Sequence, residues 1–158
     1  RMVIHATPLQ LVDRVLGGTD LDAAMRILGD LSGYFPFPGR PSGHPTRLEG
    51  SPELVAEHSR KAQAMGCGGV DLLAYRATEA DPLDMVRAAR AALPGRKLIV
   101  AGSISTKRQI DALAKAGVDA FTIGSAAFEC AFSPEKQSLR GQIEDILAAC
   151  AGDSKMSA

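Results

Sequence analysis

Two Gly-Ser pairs are the residues of this sequence best suited to binding a ligand. Gly102-Ser103 follows the apolar run 98–101, and Gly124-Ser125 follows the apolar run 120–123. Small residues at the carboxyl end of a buried strand leave backbone N–H groups open to a ligand, and two such ends side by side form a cup for a phosphate dianion. The residues predicted to bind this phosphate are Gly102, Ser103, Ile104, Gly124, Ser125 and Ala126.

Four further side chains suit chemistry on a phosphorylated carbonyl compound. Tyr75 and Arg76 follow the apolar run that begins at Gly69, and we predict that both are catalytic. Arg76 would stabilise developing negative charge, and Tyr75 would position a hydroxyl group or pass a proton. If the segment that carries them folds over the site, His44 becomes a third catalytic candidate and Arg47 a substrate-binding one.

Two kinds of chemistry have little support in the sequence. No lysine stands at the carboxyl end of a predicted strand, which argues against an aldolase that works through a Schiff base. The cysteines have no metal-ligand spacing, so no metal ligand is predicted.

The sequence around the Gly-Ser pairs predicts alternating strands and helices. The runs 98–101 and 120–123 are typical of strands buried on both faces, and the intervening segment has helical spacing, with Ser105 or Thr106 as its cap and Gly117 at its end. Gly-Val-Asp opens the strand at 69–71 and recurs at 117–119, which favours a repeated βα array with a parallel sheet. Asp71 and Asp119 are therefore interpreted as structural residues at strand starts, away from the chemistry.

The segments 99–104 and 123–128 resemble the phosphate-binding end of the ribulose-phosphate-binding (β/α)₈ barrels. The resemblance covers roughly the last ninety residues. It implies an α/β fold of TIM-barrel type with parallel strands, and a phosphate site after the last two strands. It does not single out one reaction, and glycines also end buried strands in α/β proteins that bind nothing there.

The length of the chain conflicts with a closed barrel. The sequence has 158 residues, whereas a TIM barrel typically needs roughly 200 or more. We expect a single domain over residues 1–158 that forms a partial or incomplete barrel. Either it completes itself by association into a homo-oligomer, or it belongs to a longer native chain.

The first fifty residues do not show the regular alternation of strands and helices. A strand is predicted at 2–6, then a helix through Leu9, Val12, Val15 and Leu16, and a second helix capped by Thr19 or Asp20. Residues 32–51 hold many prolines and glycines, so we predict no helix and no central strand there. This segment is either a lid over the ligand or an exposed connection or inter-subunit arm.

The later helices have clearer signals. Ser51 and Asp81 are each followed by proline and are predicted to cap helices. A last helix is predicted from Ser133, with a buried stripe, and the tail 151–158 is expected to fray. The stripe consists of Leu139, Ile143, Ile146 and Leu147.

The composition of the chain indicates which classes of partner the protein binds. The 18 basic residues balance the 18 acidic ones, and no basic stripe points to nucleic acid. No apolar run approaches the ~20 residues of a membrane span, and the first residues do not show the pattern of a signal peptide. The three cysteines, at positions 67, 130 and 150, are widely spaced and are interpreted as reduced packing residues. We expect a cytoplasmic protein that binds a small phosphorylated molecule.

Three functions fit these features. The first is an isomerase, epimerase or lyase that moves a proton next to the carbonyl of a small phosphorylated sugar or related metabolite, without a cofactor. The second is a flavin-mononucleotide barrel, because the same cup would hold the phosphate of FMN. The third is a non-catalytic phosphometabolite-binding or scaffold barrel, which the shortage of acid and base residues leaves open.

Overall fold

A computed structural model of the chain describes residues 12–151. The strand predicted at 2–6 and nearly all of the tail at 151–158 lie outside the described residues. In chain order the elements are β1 (Val15–Leu16), α1 (Leu21–Leu28), β2 (Tyr34–Phe35), β3 (Arg40–Ser42), β4 (Arg47–Glu49), α2 (Pro52–Ala64), β5 (Gly69–Leu72), a 3₁₀ turn (Ala74–Arg76), α3 (Pro82–Ala91), β6 (Lys97–Val100), α4 (Lys107–Lys115), β7 (Ala120–Phe121), α5 (Ser125–Phe128) and α6 (Leu139–Ala151).

Parallel strands follow one another across the fold in chain order. β1 pairs with β2, and β5 pairs with β6, which pairs with β7, all in parallel. The Gly68 amide donates to the Tyr34 carbonyl and the Asp71 amide to the Pro36 carbonyl, so β2 lies beside β5. This arrangement confirms an α/β fold with parallel strands. The strands of residues 12–151 form no closed barrel, and the TIM-barrel type stays a prediction.

One face of the sheet packs under α2 and α3. Val70 and Leu72 of β5 and Leu98 and Val100 of β6 are fully buried there. They share a core with apolar residues of the two helices, among them Val55, Ala62, Met85, Val86 and Ala89. Along each strand, these side chains alternate with side chains on the opposite face of the sheet. The candidate site is on the side of that opposite face.

The predicted starts of the first four helices are confirmed. The side chains of Ser51, Asp81 and Thr106 accept hydrogen bonds from backbone amides in the first turns of α2, α3 and α4. Asp20 does the same for α1. These caps depend on neighbouring residues only, which is why the sequence reveals them.

The helix predicted through Leu16 is wrong where the structure describes it. Val15 and Leu16 form β1 and pair with Tyr34 and Phe35. Gly17 follows with a φ of 95°, which ends the strand. Pairing with a distant segment therefore overrides the helical spacing of the apolar residues. Strands and helices consequently alternate at this end of the chain as well.

The segment 32–51 contains regular structure, contrary to the prediction. Tyr34 and Phe35 form β2, a central strand between β1 and β5. The strand is only two residues long and stops before Pro36, so the first proline removes no hydrogen bond from it. Downstream, β3 and β4 form an antiparallel hairpin, with Pro41 opposite Leu48.

The last helix starts later than predicted and its stripe is mostly exposed. α6 begins at Leu139, six positions after the predicted start at Ser133. Of the four stripe residues only Ile146 is buried, while Leu147 is 63% exposed. No described element packs over the outer part of this face, which accounts for the exposure. The packing role predicted for the cysteines holds for Cys67, which is buried, but is wrong for the exposed Cys150.

Within residues 12–151, no helix combines the length and the hydropathy that crossing a bilayer requires.

Candidate functional site

A cavity of about 260 Å³ opens at the carboxyl ends of β5, β6 and β7. Both predicted Gly-Ser pairs contribute to its lining, although they are separated by a complete βα unit. The lining residues are Leu73, Arg76, Ala101, Gly102, Ser103, Ile104, Thr122, Gly124 and Ser125. Ala126, the remaining predicted phosphate ligand, is buried and does not line the cavity.

The first Gly-Ser pair has an unusual backbone. Gly102 has a φ of 79° and Ser103 a φ of 58°, so two consecutive residues adopt the left-handed conformation. This conformation suits glycine but is uncommon and unfavourable for serine. The surrounding structure must therefore impose it, and such imposed backbone geometry is typical of functional sites.

Gln109 holds this loop in place from the first turn of α4. Its Oε1 accepts hydrogen bonds from the amides of Ser105 (2.9 Å) and Thr106 (3.1 Å). Its Nε2 donates to the carbonyl of Ser103 at 3.1 Å. One side chain thus stabilises both the helix start and the strained serine.

The backbone amides of the two Gly-Ser loops differ from the other amides around the cavity, because they have no partner within residues 12–151. In the described part of the chain, no hydrogen bond uses the amides of residues 102–104 or 124–126. Ser103, Gly124 and Ser125 are exposed, so these donors can be reached from solvent. Unpaired N–H groups at a solvent-accessible site are available to an anion.

Arg76 supplies positive charge to the cavity. It ends the 3₁₀ turn after β5, and its Nη1 donates to the carbonyl of Thr46 at 3.3 Å. Its guanidinium lies so close to Gly102 that an added Cβ there would collide with Nε. None of the carboxylates in residues 12–151 forms an ion pair with Arg76. Its charge is therefore available to a bound anion.

The β3–β4 hairpin flanks this site without bringing its own candidates into it. Thr46, in the turn of the hairpin, contacts Arg76, and the amide of Thr78 donates to the carbonyl of Leu48. His44 and Arg47, however, are both exposed and neither lines the cavity. The structure thus places the hairpin beside the site, with the predicted catalytic His44 and substrate-binding Arg47 outside the cavity.

Tyr75 belongs to a different cavity from Arg76. It lines a space of about 440 Å³ between the first turns of α3 and α4, together with Asp81 and Thr106. Burial, with a smaller contribution from the negative charge of Asp81, raises the pKa of the Tyr75 phenol. Two neighbouring residues that the sequence groups together as catalytic therefore point to separate sites.

Asp71 differs from the structural strand-start residue that the repeated Gly-Val-Asp predicts. It lies inside β5 rather than at a strand start, is only 3% exposed, and its Oδ1 has no hydrogen-bond partner. Burial raises its pKa from 3.8 to about 6. Asp119 does act as a local structural residue, since its Oδ2 binds Arg90 at 2.9 Å and the Leu98 amide at 2.8 Å. A signal was present in the sequence: a carboxylate within a strand buried on both faces needs a partner or a function.

Comparisons of the chain with models of protein families, with curated proteins and with solved structures give no match. Among the described residues, no group of three or more His, Cys, Asp or Glu side chains is arranged to hold a metal ion.

Proposed function

We propose that the protein is a phosphate-barrel enzyme that acts on a small phosphorylated sugar or related metabolite. The reaction is an isomerisation, epimerisation or lyase step that begins by moving a proton next to a carbonyl. The observation that carries this proposal is the shared cavity. Arg76, which forms no ion pair with the described residues, lines it together with both Gly-Ser pairs, whose amides have no partner among those residues.

The groups at the cavity match the needs of a phosphate monoester. A dianion requires several N–H donors, and both loops offer backbone amides that have no other partner in the described residues. A guanidinium adds full positive charge and a planar pair of donors, which strengthens hydrogen bonds to phosphate oxygens. The remaining apolar lining, such as Leu73 and Ile104, excludes water around those contacts.

The size of the cavity favours a small ligand. A volume of about 260 Å³ lies below the roughly 300–1,000 Å³ of pockets that hold drug-sized ligands. A phosphate group with a short carbon chain fits this space better than a complete flavin nucleotide. We therefore favour a sugar-phosphate substrate over FMN.

A non-catalytic phosphometabolite-binding protein is the second candidate. The residues that line the cavity include one ionisable side chain, Arg76, and no His, Lys, Asp or Glu. A protein that only senses or stores a phosphorylated metabolite needs no more than this. Binding without turnover on a panel of sugar phosphates would favour the second candidate.

Binding of dihydroxyacetone phosphate, followed by amide chemical shifts in NMR, tests the phosphate site. A Cβ at Gly124 meets no atom within 4 Å, so there is room for a side chain, and the two variants below share the same backbone requirement. We expect Gly124→Glu to abolish binding by charge repulsion, and Gly124→Gln, of equal size but neutral, to retain much more of it. Equal binding by both variants, or no binding by the unmodified protein, contradicts the proposal.

A further inference from the structure

The cavity of about 440 Å³ between the first turns of α3 and α4, called here the α3–α4 cavity, has no part in the proposed function. None of the residues that line it lines the cavity of the candidate phosphate site. Its volume lies within the roughly 300–1,000 Å³ of pockets that hold drug-sized ligands. Its walls include apolar Pro82, Leu83 and Ala112 and polar Tyr75, Asp81 and Arg108. A complete small molecule with polar and apolar parts therefore fits there.

Opposite charges line the α3–α4 cavity without pairing with each other. Arg108 is exposed, and its guanidinium forms no ion pair or hydrogen bond with the described residues. Asp81 is also exposed, and its Oδ1 accepts a hydrogen bond from the Leu83 amide at 2.8 Å. It forms no ion pair with the described residues either. A carboxylate has about four acceptor sites, so both side chains are available to a ligand.

Tyr75 adds an aromatic wall and a hydroxyl group. Its side chain is half-buried, and its phenol forms no hydrogen bond with the described residues. Burial raises the pKa of this phenol, and the negative charge of Asp81 contributes, so the carboxylate lies within electrostatic range of the ring. The phenol is therefore neutral at physiological pH, and its hydroxyl group is free to bind a ligand.

The charges of the α3–α4 cavity match a ligand that carries both signs. A purely anionic ligand would be repelled by Asp81, and a purely cationic one by Arg108. A zwitterion places its anionic group on the guanidinium and its cationic group on the carboxylate, and both contacts are charge-assisted hydrogen bonds. The apolar part of the wall matches an apolar portion of the same molecule.

We propose that the α3–α4 cavity is a binding site for a free α-amino acid with an aromatic side chain. The carboxylate of the amino acid pairs with Arg108, and its ammonium group pairs with Asp81. Its ring packs against Tyr75 and Leu83, where aromatic contact adds to the burial of apolar surface. This inference goes beyond the proposed function and does not depend on it, because the two cavities share no lining residue.

Gln109 links the occupant of the α3–α4 cavity to the first Gly-Ser loop. It lines the α3–α4 cavity, while its Nε2 donates to the carbonyl of Ser103 at 3.1 Å and its Oε1 accepts from the amide of Ser105 at 2.9 Å. An amino acid that packs against Gln109 restricts this side chain, and the hydrogen bonds to the loop change with it. Binding at the α3–α4 cavity is therefore transmitted to the backbone of Ser103.

Isothermal titration calorimetry with L-phenylalanine tests the site. Two analogues are the matched probes: 3-phenylpropionate lacks the ammonium group and 2-phenylethylamine lacks the carboxylate. We expect L-phenylalanine to bind and each analogue to bind about tenfold more weakly or worse, because each loses one charged hydrogen bond. If L-phenylalanine does not bind, or if either analogue binds as tightly, the proposal is overturned and the phosphate site is left standing.

Two variants separate the charged contacts. Asparagine also caps helices, so Asp81→Asn keeps the start of α3. Arg108→Met and Asp81→Asn should each weaken binding of L-phenylalanine about tenfold or more, and Asp81→Asn should bind L-phenylalanine and 3-phenylpropionate equally. Arg87→Met is the control, because Arg87 is exposed on α3 and does not line the cavity. Unchanged affinity in the first two variants, or an equal loss in Arg87→Met, overturns the assignment.

NMR of the loop tests the link through Gln109. Saturation with L-phenylalanine should shift the signals of the Ser103 carbonyl carbon and the Ser105 amide in the unmodified protein. Gln109→Ala should still bind L-phenylalanine, but the two signals should no longer respond. Signals that stay in place in the unmodified protein, or that shift equally in Gln109→Ala, overturn the link.

Discussion

The guanidinium of Arg76 lies directly against the α-carbon of Gly102, in the space that any other residue would fill with its Cβ. Two segments that follow different strands thereby share one cavity, and the absence of a side chain at position 102 is what allows the charge to approach the loop. The left-handed backbone of Gly102 and the position of Arg76 are thus parts of one arrangement.

Comparing Gly102→Ala with Gly66→Ala should separate the effect of the left-handed backbone from the effect of the contact with Arg76. The substitution imposes a left-handed alanine and also displaces Arg76, so we expect a loss of more than about 1 kcal/mol in the free energy of unfolding and weaker phosphate binding. Gly66→Ala is the matched control, since Gly66 has a φ of 86° but open space around its Cβ position. Urea denaturation and phosphate titration of both variants measure the difference. Equal destabilisation with intact binding in both would show that the contact with Arg76 is unimportant.

Arg76→Met should weaken phosphate binding without unfolding the protein. Charged hydrogen bonds contribute about 1.5–3 kcal/mol, which corresponds to a roughly tenfold to hundredfold loss of affinity for dihydroxyacetone phosphate. Arg47→Met is the control, because Arg47 is exposed and lies outside the cavity lining. Isothermal titration calorimetry at two salt concentrations should show a smaller salt effect in Arg76→Met. A comparable loss in both variants would mean that the ligand binds nearer to the hairpin.

Asp71→Asn should change the pH dependence of stability. The folded pKa of about 6 lies above the ordinary value of 3.8, so folding favours the protonated form. The stability linked to this proton is fully present below pH 3.8 and is lost as the pH rises through about 6. At neutral pH the loss amounts to about 3 kcal/mol. The free energy of unfolding of Asp71→Asn, minus that of the unmodified protein, should therefore rise across this range in urea denaturation. A difference that is constant with pH would contradict a raised pKa.

Local signals explain what the sequence revealed about the fold. The caps at Ser51, Asp81 and Thr106 depend on residues within one helical turn, and the structure confirms each of them. β1 and β2 are two residues long and exist because they pair with each other and because β2 also lies beside β5. No window around Val15 or Tyr34 contains the partner, so the prediction there followed the helical spacing and the prolines instead.

The sequence predicts which backbone segments meet at the candidate site. It does not predict in which direction the side chains near that site point. Gly102 and Gly124 come together because they end neighbouring parallel strands. Tyr75 and Arg76 diverge because the chain leaves β5 through a 3₁₀ turn, which sends consecutive side chains to different sides. Asp71 was assigned to a strand start by the repeated Gly-Val-Asp, although alternation along the strand turns it away from the helices.

Ile146→Ala and Leu147→Ala should differ sharply in their effect on stability. Both residues lie in α6, but Ile146 is 8% exposed and Leu147 is 63% exposed. We expect a loss of about 2–4 kcal/mol for Ile146→Ala and less than about 0.5 kcal/mol for Leu147→Ala. Urea denaturation of the two variants makes the comparison. An equal loss in both would mean that another surface covers Leu147 in solution.

Gln109→Ala should relax the strained loop at the candidate phosphate site. The substitution removes the acceptor for the amides of Ser105 and Thr106 and the donor to the Ser103 carbonyl. Loss of such capping contacts costs about 0.5–2 kcal/mol, and without them Ser103 is free to leave its unfavourable left-handed conformation. Phosphate affinity should therefore fall although Gln109 itself does not line the cavity. Gln63→Ala, which removes a single exposed hydrogen bond to the Pro94 carbonyl, is the matched control and should change neither property. Unchanged affinity in a folded Gln109→Ala variant would show that the backbone of Ser103 is not held for the ligand.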